Sequence, residues 1–182
     1  MNNKIKLSQC MIVKNEEKNI EQALRWAKNI TFEQIVVDTG STDRTVEIAK
    51  KMGAKVYHFE WINDFSAAKN FAIEQATGDW ITTLDADEYM EKQDSRNLLT
   101  VLELISKDKG LAKKCKAISS KIINTNDDGS FGISFYTVRV FKNDPSIRFK
   151  GRIHEELTLE TSSIIKVNDF NIIHTGYTTE AK

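Results

Sequence analysis

The stretch WITTLDADEYM, Trp80 to Met90, decides how this chain folds. A short apolar run breaks off at Asp85-Ala86-Asp87-Glu88, which places three carboxylates within four residues. Such a run reads as a buried strand, and one that ends on carboxylates delivers charge to an edge of a sheet. Upstream the same unit recurs. LSQCMIVK reads as a buried strand ending near Val13, and Asn15 is expected to cap a helix with Glu16 and Glu17 in its first turn, where the helix dipole favours acids. Ile20, Ala23, Leu24 and Ala27 give that helix one apolar face. QIVVDTG is a second strand. Ser41 or Thr42 caps the next helix, with Thr45, Ile48, Ala49 and Met52 as its stripe and Gly53 as its stop. AKVYHFE is a third strand, SAAKNFAIEQATG a third helix halted by Gly78, and DWITTLDAD the fourth strand.

Helices alternating with short apolar strands predict an α/β fold with a mainly parallel sheet and right-handed crossovers. The carboxyl ends of such strands share one edge, and ligands bind in the crevice there. Four polar clusters are therefore expected to converge: Lys14-Asn15-Glu16, Asp38-Thr39-Gly40, Glu60 to Asp64, and Asp85-Ala86-Asp87. The second half reads as more β-rich. Residues 94–109 carry helical spacing at Leu98, Leu99, Leu102 and Ile105, and CKAISSKII, ISFYTVRVF, HEELTLE, SIIKV and FNIIH read as strands. NTNDDGS suggests a calcium loop, but Phe135 stands where the twelfth loop position needs an acid, so a hairpin turn is the reading.

At 182 residues the chain is expected to be one domain, 1–182. Twenty-six basic and 26 acidic residues cancel, which argues against a nucleic-acid or anionic-membrane partner held by bulk charge. Cys10 and Cys115 lie in apolar stretches and read as buried free thiols. MNNKIKLSQC is too short and polar for a signal peptide, and no apolar run reaches membrane-crossing length, so the expected location is cytoplasmic.

Residues i and i+2 of an extended segment point the same way, so Asp85 and Asp87 can offer oxygens to one side of a strand end. Oxygen ligands suit Mg²⁺ or Mn²⁺, and magnesium is usually held by one or two carboxylates plus substrate phosphates. The pair is therefore suited to a metal–diphosphate, although its spacing alone is also that of a solvated turn. Asp38 ends a buried strand before a glycine turn and can accept a hydrogen bond from a base N–H or a ribose hydroxyl, or can simply form the turn.

MIVKNEE, VVDTGSTDRT, NDFSAAKNFAIEQATGDW and LDAD stand in an order that resembles the family 2 glycosyltransferases of the GT-A fold, a Rossmann-like α/β architecture. EWINDFSAAKN, KGRIHEEL and HTGY resemble the subgroup of bacterial peptide or protein glycosyltransferases, the sublancin S-glycosyltransferases among them. The resemblance runs from about Leu7 to Tyr177. It implies a UDP-sugar donor, a divalent cation, a nucleotide-sugar-binding half over 1–92 and an acceptor-side half over 93–182. It puts Asp38 on the uracil, Val13 and Glu16 along the nucleoside pocket, and Asp64 and Lys69-Asn70 beside the nucleotide. Asp85 would meet the ribose and metal region, Asp87 the metal, and His174 would complete the metal shell or serve as a strand histidine. Lys69 departs from the arginine common in the family and loses its planar fork. Thr39 stands where a second acid after Asp38 is commoner. Members of the subgroup often continue into helical repeats, so C-terminal truncation after TTEAK is a further expectation.

Transfer with inversion needs an acceptor hydroxyl or thiol opposite the leaving diphosphate, through an oxocarbenium-like transition state. A metal stabilises the leaving charge, and a carboxylate takes the acceptor proton. The base is expected at Glu155, with Glu156 as competitor and His154 positioning the base or binding donor phosphate; His58 reads as structural. The acceptor is a peptide, protein or glycan, and a homo-oligomer is compatible with the sequence. Three rivals stand against this reading. A dehalogenase-type phosphatase would carry its Asp-x-Asp after the first strand. A nucleotidyltransferase would carry a glycine-rich loop there, which MIVKNEEKN lacks. The third is a nucleotide-sugar-binding module, or a catalytic fragment inactive alone.

Overall fold

The computed structural model describes residues 5–126 and 128–176; Asp127 of the hairpin turn, Tyr177 of HTGY, the TTEAK tail and the first four residues lie outside them. In chain order the elements are β1 Leu7–Val13, α1 Ile20–Arg25, β2 Glu33–Asp38, α2 Thr45–Met52, β3 Lys55–His58, α3 Phe65–Glu74, β4 Trp80–Thr83 and β5 Glu88–Tyr89. They continue as α4 Lys92–Lys107, α5 Lys109–Lys114, β6 Ala117–Thr125, β7 Phe131–Lys142, β8 Phe149–Lys150, β9 Glu156–Leu157 and β10 Ile164–His174. One sheet runs β3-β2-β1-β4-β7-β6-β10-β5, with β8 and β9 as a separate ribbon. β3, β2, β1 and β4 are parallel neighbours, as is the β6–β10 pair, while β7 runs antiparallel to both β4 and β6. The α/β, mainly parallel expectation holds, and the β-rich second half joins the first through the β4–β7 ladder.

Strand alternation sorts the core into layers. On β1 and β2, Cys10, Ile35 and Val37 face α3 with Ala72 and Ile73, while Met11, Val13 and Val36 face α1 and α2 with Ile20, Leu24 and Ala49. A third layer packs α4, through Leu98, Leu102 and Ile105, on Ile118, Ile122 and Phe170. Each Val, Leu, Ile, Met or Phe side chain among them contributes about 1.5–3 kcal/mol by leaving water. Both cysteines are buried free thiols, and burial pushes the Cys10 thiol well above the usual range and raises that of Cys115. Among the described residues no helix is long and apolar enough to cross a membrane.

The edge away from the strands' carboxyl ends is locked by Glu33, which is 7% exposed. Its carboxylate accepts from the Ser8 hydroxyl at 2.7 Å, the Thr77 amide and hydroxyl at 2.6 and 2.9 Å, and Lys55 at 2.7 Å. Burial opposes its charge, yet these donors hold it down to about 2.

Several local expectations need correction. Asn15 caps no helix. It sits in the left-handed region at φ 57°, which Asn tolerates, and its Oδ1 accepts from the Thr42 amide at 2.8 Å. The chain reaches α1 only at Ile20 because this loop is tied to the next one instead. The α2 start is held by Asp43, whose Oδ1 accepts the Thr45 amide at 3.0 Å, and neither Ser41 nor Thr42 caps it. HEELTLE is strand only at Glu156–Leu157, and SIIKV with FNIIH forms the single strand β10, shifted in register between Lys166 and Asn171. Gly53 does close α2, at φ 92°.

Candidate active site

The parallel strands bring their carboxyl ends together, and a cavity of about 540 Å³ opens there. The Asn15 loop and the turn after Asp38 are stitched to each other: the Asn15 amide donates to Ser41 Oγ at 2.9 Å, and the Thr39 amide to the Val13 carbonyl at 3.0 Å. Asp64 caps α3, accepting the Ala67 amide at 2.9 Å, a contact worth about 1 kcal/mol. That fixes Lys69 one turn further along, beneath the strand-end carboxylates. On the other wall, residues 151–155 are clasped to the start of α3. The Phe65 amide donates to the Arg152 carbonyl at 3.1 Å, Ser66 Oγ to the Gly151 carbonyl at 2.5 Å, and the Arg152 guanidinium to the Asn63 and Ile62 carbonyls. Gly151 at φ 99° and His154 at φ 56° give that loop its sharp path, which turns Glu155 inward.

The three carboxylates of the opening stretch have separate tasks. Glu88 is buried, accepting the Asp85 amide at 3.0 Å and the Arg139 guanidinium at 2.5 Å. Burial pushes its carboxyl up, against the pull of Arg139. Asp85 is half-buried between two cations, with Oδ2 3.1 Å from Arg139 and Oδ1 3.6 Å from Lys69. Burial disfavours its charge, but Lys69, Arg139 and His174 outweigh that and hold it below the usual carboxylate range. Asp87 lines the cavity, with Oδ2 3.3 Å from His174 Nε2. The hydrogen bond that His174 donates to Asp87 raises the imidazole above its usual value despite burial, and Nδ1 of the same ring is 2.9 Å from Asn124 Oδ1. Gly176 passes so close to this pair that an added Cβ would lie 2.0 Å from Asp87 Oδ2 and 2.7 Å from His174 Nε2.

Val13, Glu16, Lys69, Asp85, Asp87, His154, Glu155 and His174 all line the cavity. Asp38 and Asp64 are not among its lining residues. Asp38 is buried in its own turn, accepting the Ser41 amide at 3.0 Å and lying 3.3 Å from His58 Nδ1; it carries Thr39, which does line the cavity. Glu155 is bound to Lys69 Nζ at 2.5 Å, while Glu156 points to solvent from β9. Sequence reasoning missed Trp61, Phe65 and Ile153, which form an apolar rim, and Arg139. The one signal for Arg139 was a lone charge between Val138 and Val140 in an apolar strand, where a buried cation demands partners.

A mainly parallel sheet, one inserted antiparallel strand and an acid-lined cleft at the carboxyl edge define the GT-A class. Residues 8–108 match the family described as Glycosyl transferase family 2, and the chain belongs to that family. A TPR repeat-containing protein of Synechococcus elongatus is 38% identical over 149 residues, 82% of this chain and 34% of its own length. The glycosyltransferase SunS of Bacillus phage SPbeta is 30% identical over 175 residues, 92% of this chain and 39% of its own. The chain thus spans well under half the length of these curated relatives. Among solved structures, S. aureus TarS in complex with UDP-GlcNAc superposes with a TM-score of 0.64 at 19% identity, over 94% of this chain and 58% of that one. The glucosyl-3-phosphoglycerate synthase of Mycobacterium tuberculosis, in complex with Mn²⁺, UDP and its product, gives 0.52 at 20% identity, over 65% and 44%.

Proposed function

We propose that this chain is the catalytic domain of a metal-dependent, inverting glycosyltransferase that takes a sugar from a UDP-sugar and passes it to a hydroxyl or thiol of a peptide, protein or glycan. The observation that carries this reading is the meeting of Lys69, Asp85, Asp87, Glu155 and His174 around one cavity. The first half supplies the donor floor, with Val13, Glu16 and Thr39 along the nucleoside and Asp38 holding the turn that presents Thr39. The second half supplies Glu155 and the acceptor side. The family membership and the UDP and Mn²⁺ complexes of the structural neighbours support the donor and cation classes.

A divalent cation fits the residues present. Among the described residues no cluster of three His, Cys, Asp or Glu side chains is arranged to hold a metal, but Mg²⁺ and Mn²⁺ sites with diphosphates need only one or two protein ligands. Asp87 and His174 are that pair, and the absent Cβ of Gly176 leaves room beside them. When bound there, the ion would act as a Lewis acid on the departing diphosphate. Arg139 and Lys69 hold Asp85 in place, and the apolar rim keeps water from the reacting atoms. Glu155 takes the acceptor proton, the freed lone pair bonds to the anomeric carbon from the side opposite UDP, and UDP leaves with the electrons of the broken bond.

Glu155→Gln is expected to lower transfer by about 10²–10⁴-fold while UDP binds no more weakly than to the wild type. Transfer at the wild-type rate would remove Glu155 from the base role. A nucleotide-sugar-binding module is the second reading, favoured by the pairing of Glu155 with Lys69 and of Asp87 with His174. UDP binding without transfer to any acceptor and without UDP-sugar hydrolysis would decide for it.

A further inference from the structure

Lys69 stands between two carboxylates that a transfer reaction needs in different states. Its Nζ is 2.5 Å from Glu155 Oε1 and 3.6 Å from Asp85 Oδ1. The residue is only 8% exposed, yet it lines the cavity, and the ring centroid of Phe149 lies 5.4 Å from the ammonium. Arg139 occupies the far side of Asp85 and reaches on to Glu88. Acids and bases therefore alternate along one row, Glu88, Arg139, Asp85, Lys69 and Glu155. The short hydrogen bond of the ammonium goes to Glu155, at the end of this row. An ammonium at that distance stabilises the carboxylate as the anion, which makes it a poorer proton acceptor than a carboxylate released from it.

Building on the donor-cleft reading above, we propose that Lys69 is a donor-sensing latch on Glu155: the diphosphate of the donor draws the ammonium off, and only then is Glu155 free to accept the acceptor's proton. A diphosphate carries more charge than one carboxylate and competes well for the ammonium. Lysine suits the exchange, because a point charge on a flexible stem passes between partners by rotation of its last bonds, whereas a planar fork holds one carboxylate in two parallel hydrogen bonds. The latch orders the reaction. The base becomes competent in the donor complex and stays masked without it, and Asp85, kept in place by Arg139, receives the lysine as it swings.

The test uses the full chain with ¹³C and ¹⁵N labels and reads couplings across the hydrogen bonds of the Lys69 ammonium, assigned by loss of its signal in Lys69→Arg. A coupling to the Glu155 carboxylate carbon is expected in the free protein. Its disappearance is expected when UDP and Mg²⁺ are added, with calorimetry confirming binding. If UDP binds and the coupling persists, or if it is absent from the free protein, the latch is overturned while the donor-cleft reading stands. If no UDP binds, both fall. A second measurement needs no nucleotide: carbodiimide labelling of Glu155, read by peptide mass spectrometry, is expected to rise several-fold in Lys69→Met, and equal labelling would overturn the latch.

Discussion

Gly176→Ala separates the chemistry of the site from the stability of the fold. The new Cβ would lie 2.0 Å from Asp87 Oδ2, and ordinary contact begins near 3.4 Å, so the carboxylate must retreat by about 1.4 Å. The atom that gives way is the far end of a side chain, and the Asp87 carbonyl keeps its hydrogen bonds from the Thr175 amide and hydroxyl at 3.0 and 3.1 Å. The stability cost is therefore expected to stay within about 1 kcal/mol, a shift in Tm of roughly 2–4 °C for a chain of this size. The catalytic cost is larger, since a misplacement of about 1 Å can remove roughly 10²-fold in rate. The assay pairs thermal unfolding with calorimetry of UDP in the presence and absence of Mn²⁺, followed by mass spectrometry of the transfer product. A near-native Tm with metal-dependent UDP binding at least about tenfold weaker is the expected result. Wild-type binding with Mn²⁺ would show that Asp87 and His174 do not hold the ion.

Asp87→Ala is expected to weaken UDP binding only when Mn²⁺ is present, and an unchanged response to the ion by calorimetry would take Asp87 out of the metal's reach. Glu33→Gln tests the lock at the opposite edge. Glu33 sits near 2 against an ordinary 4.5, a gap worth about 3 kcal/mol at most, and the half-exposed Lys55 trims this to about 2. Because the folded value is depressed, that stability is present above pH 4.5 and is lost as pH falls towards 2. The gap between wild type and variant in urea unfolding should therefore be full at pH 7 and shrink below pH 4.5; a gap independent of pH would mean that the Glu33 charge is not its source.

The sheet and its loaded edge were legible because β-branched runs and helical stripes repeat with strong periods from Leu7 to Thr83. Asp85 and Asp87 stand out because acids at the end of a buried strand are costly unless they serve something, whereas Glu155 is reached only through the family resemblance of KGRIHEEL and the reaction's need for a base. What escaped was whatever depends on partners distant in the chain. Asn15 looks like a helix cap, and only the neighbouring Ser41–Thr42 turn shows why it adopts a left-handed backbone. In the sequence Glu88 reads as a partner of Asp85 and Asp87, and its burial follows from Arg139, 51 residues later. Asp38 carries the chemistry of a ligand contact and spends it on its own turn. Strands of two residues, such as β5 and β9, have no period to detect.

The ladder between β4 and β7 has a consequence for anyone who would divide this chain. Cutting near residue 92 would do more than bare a strand. It would strip Asp85 and Glu88 of the guanidinium that neutralises them and leave Lys69 without its preferred acid. A donor half expressed alone would thus carry unbalanced charge at its most sensitive point. Grafting a different acceptor half onto it would succeed only if the newcomer brought a cation to the position of Arg139 and an acid to that of Glu155.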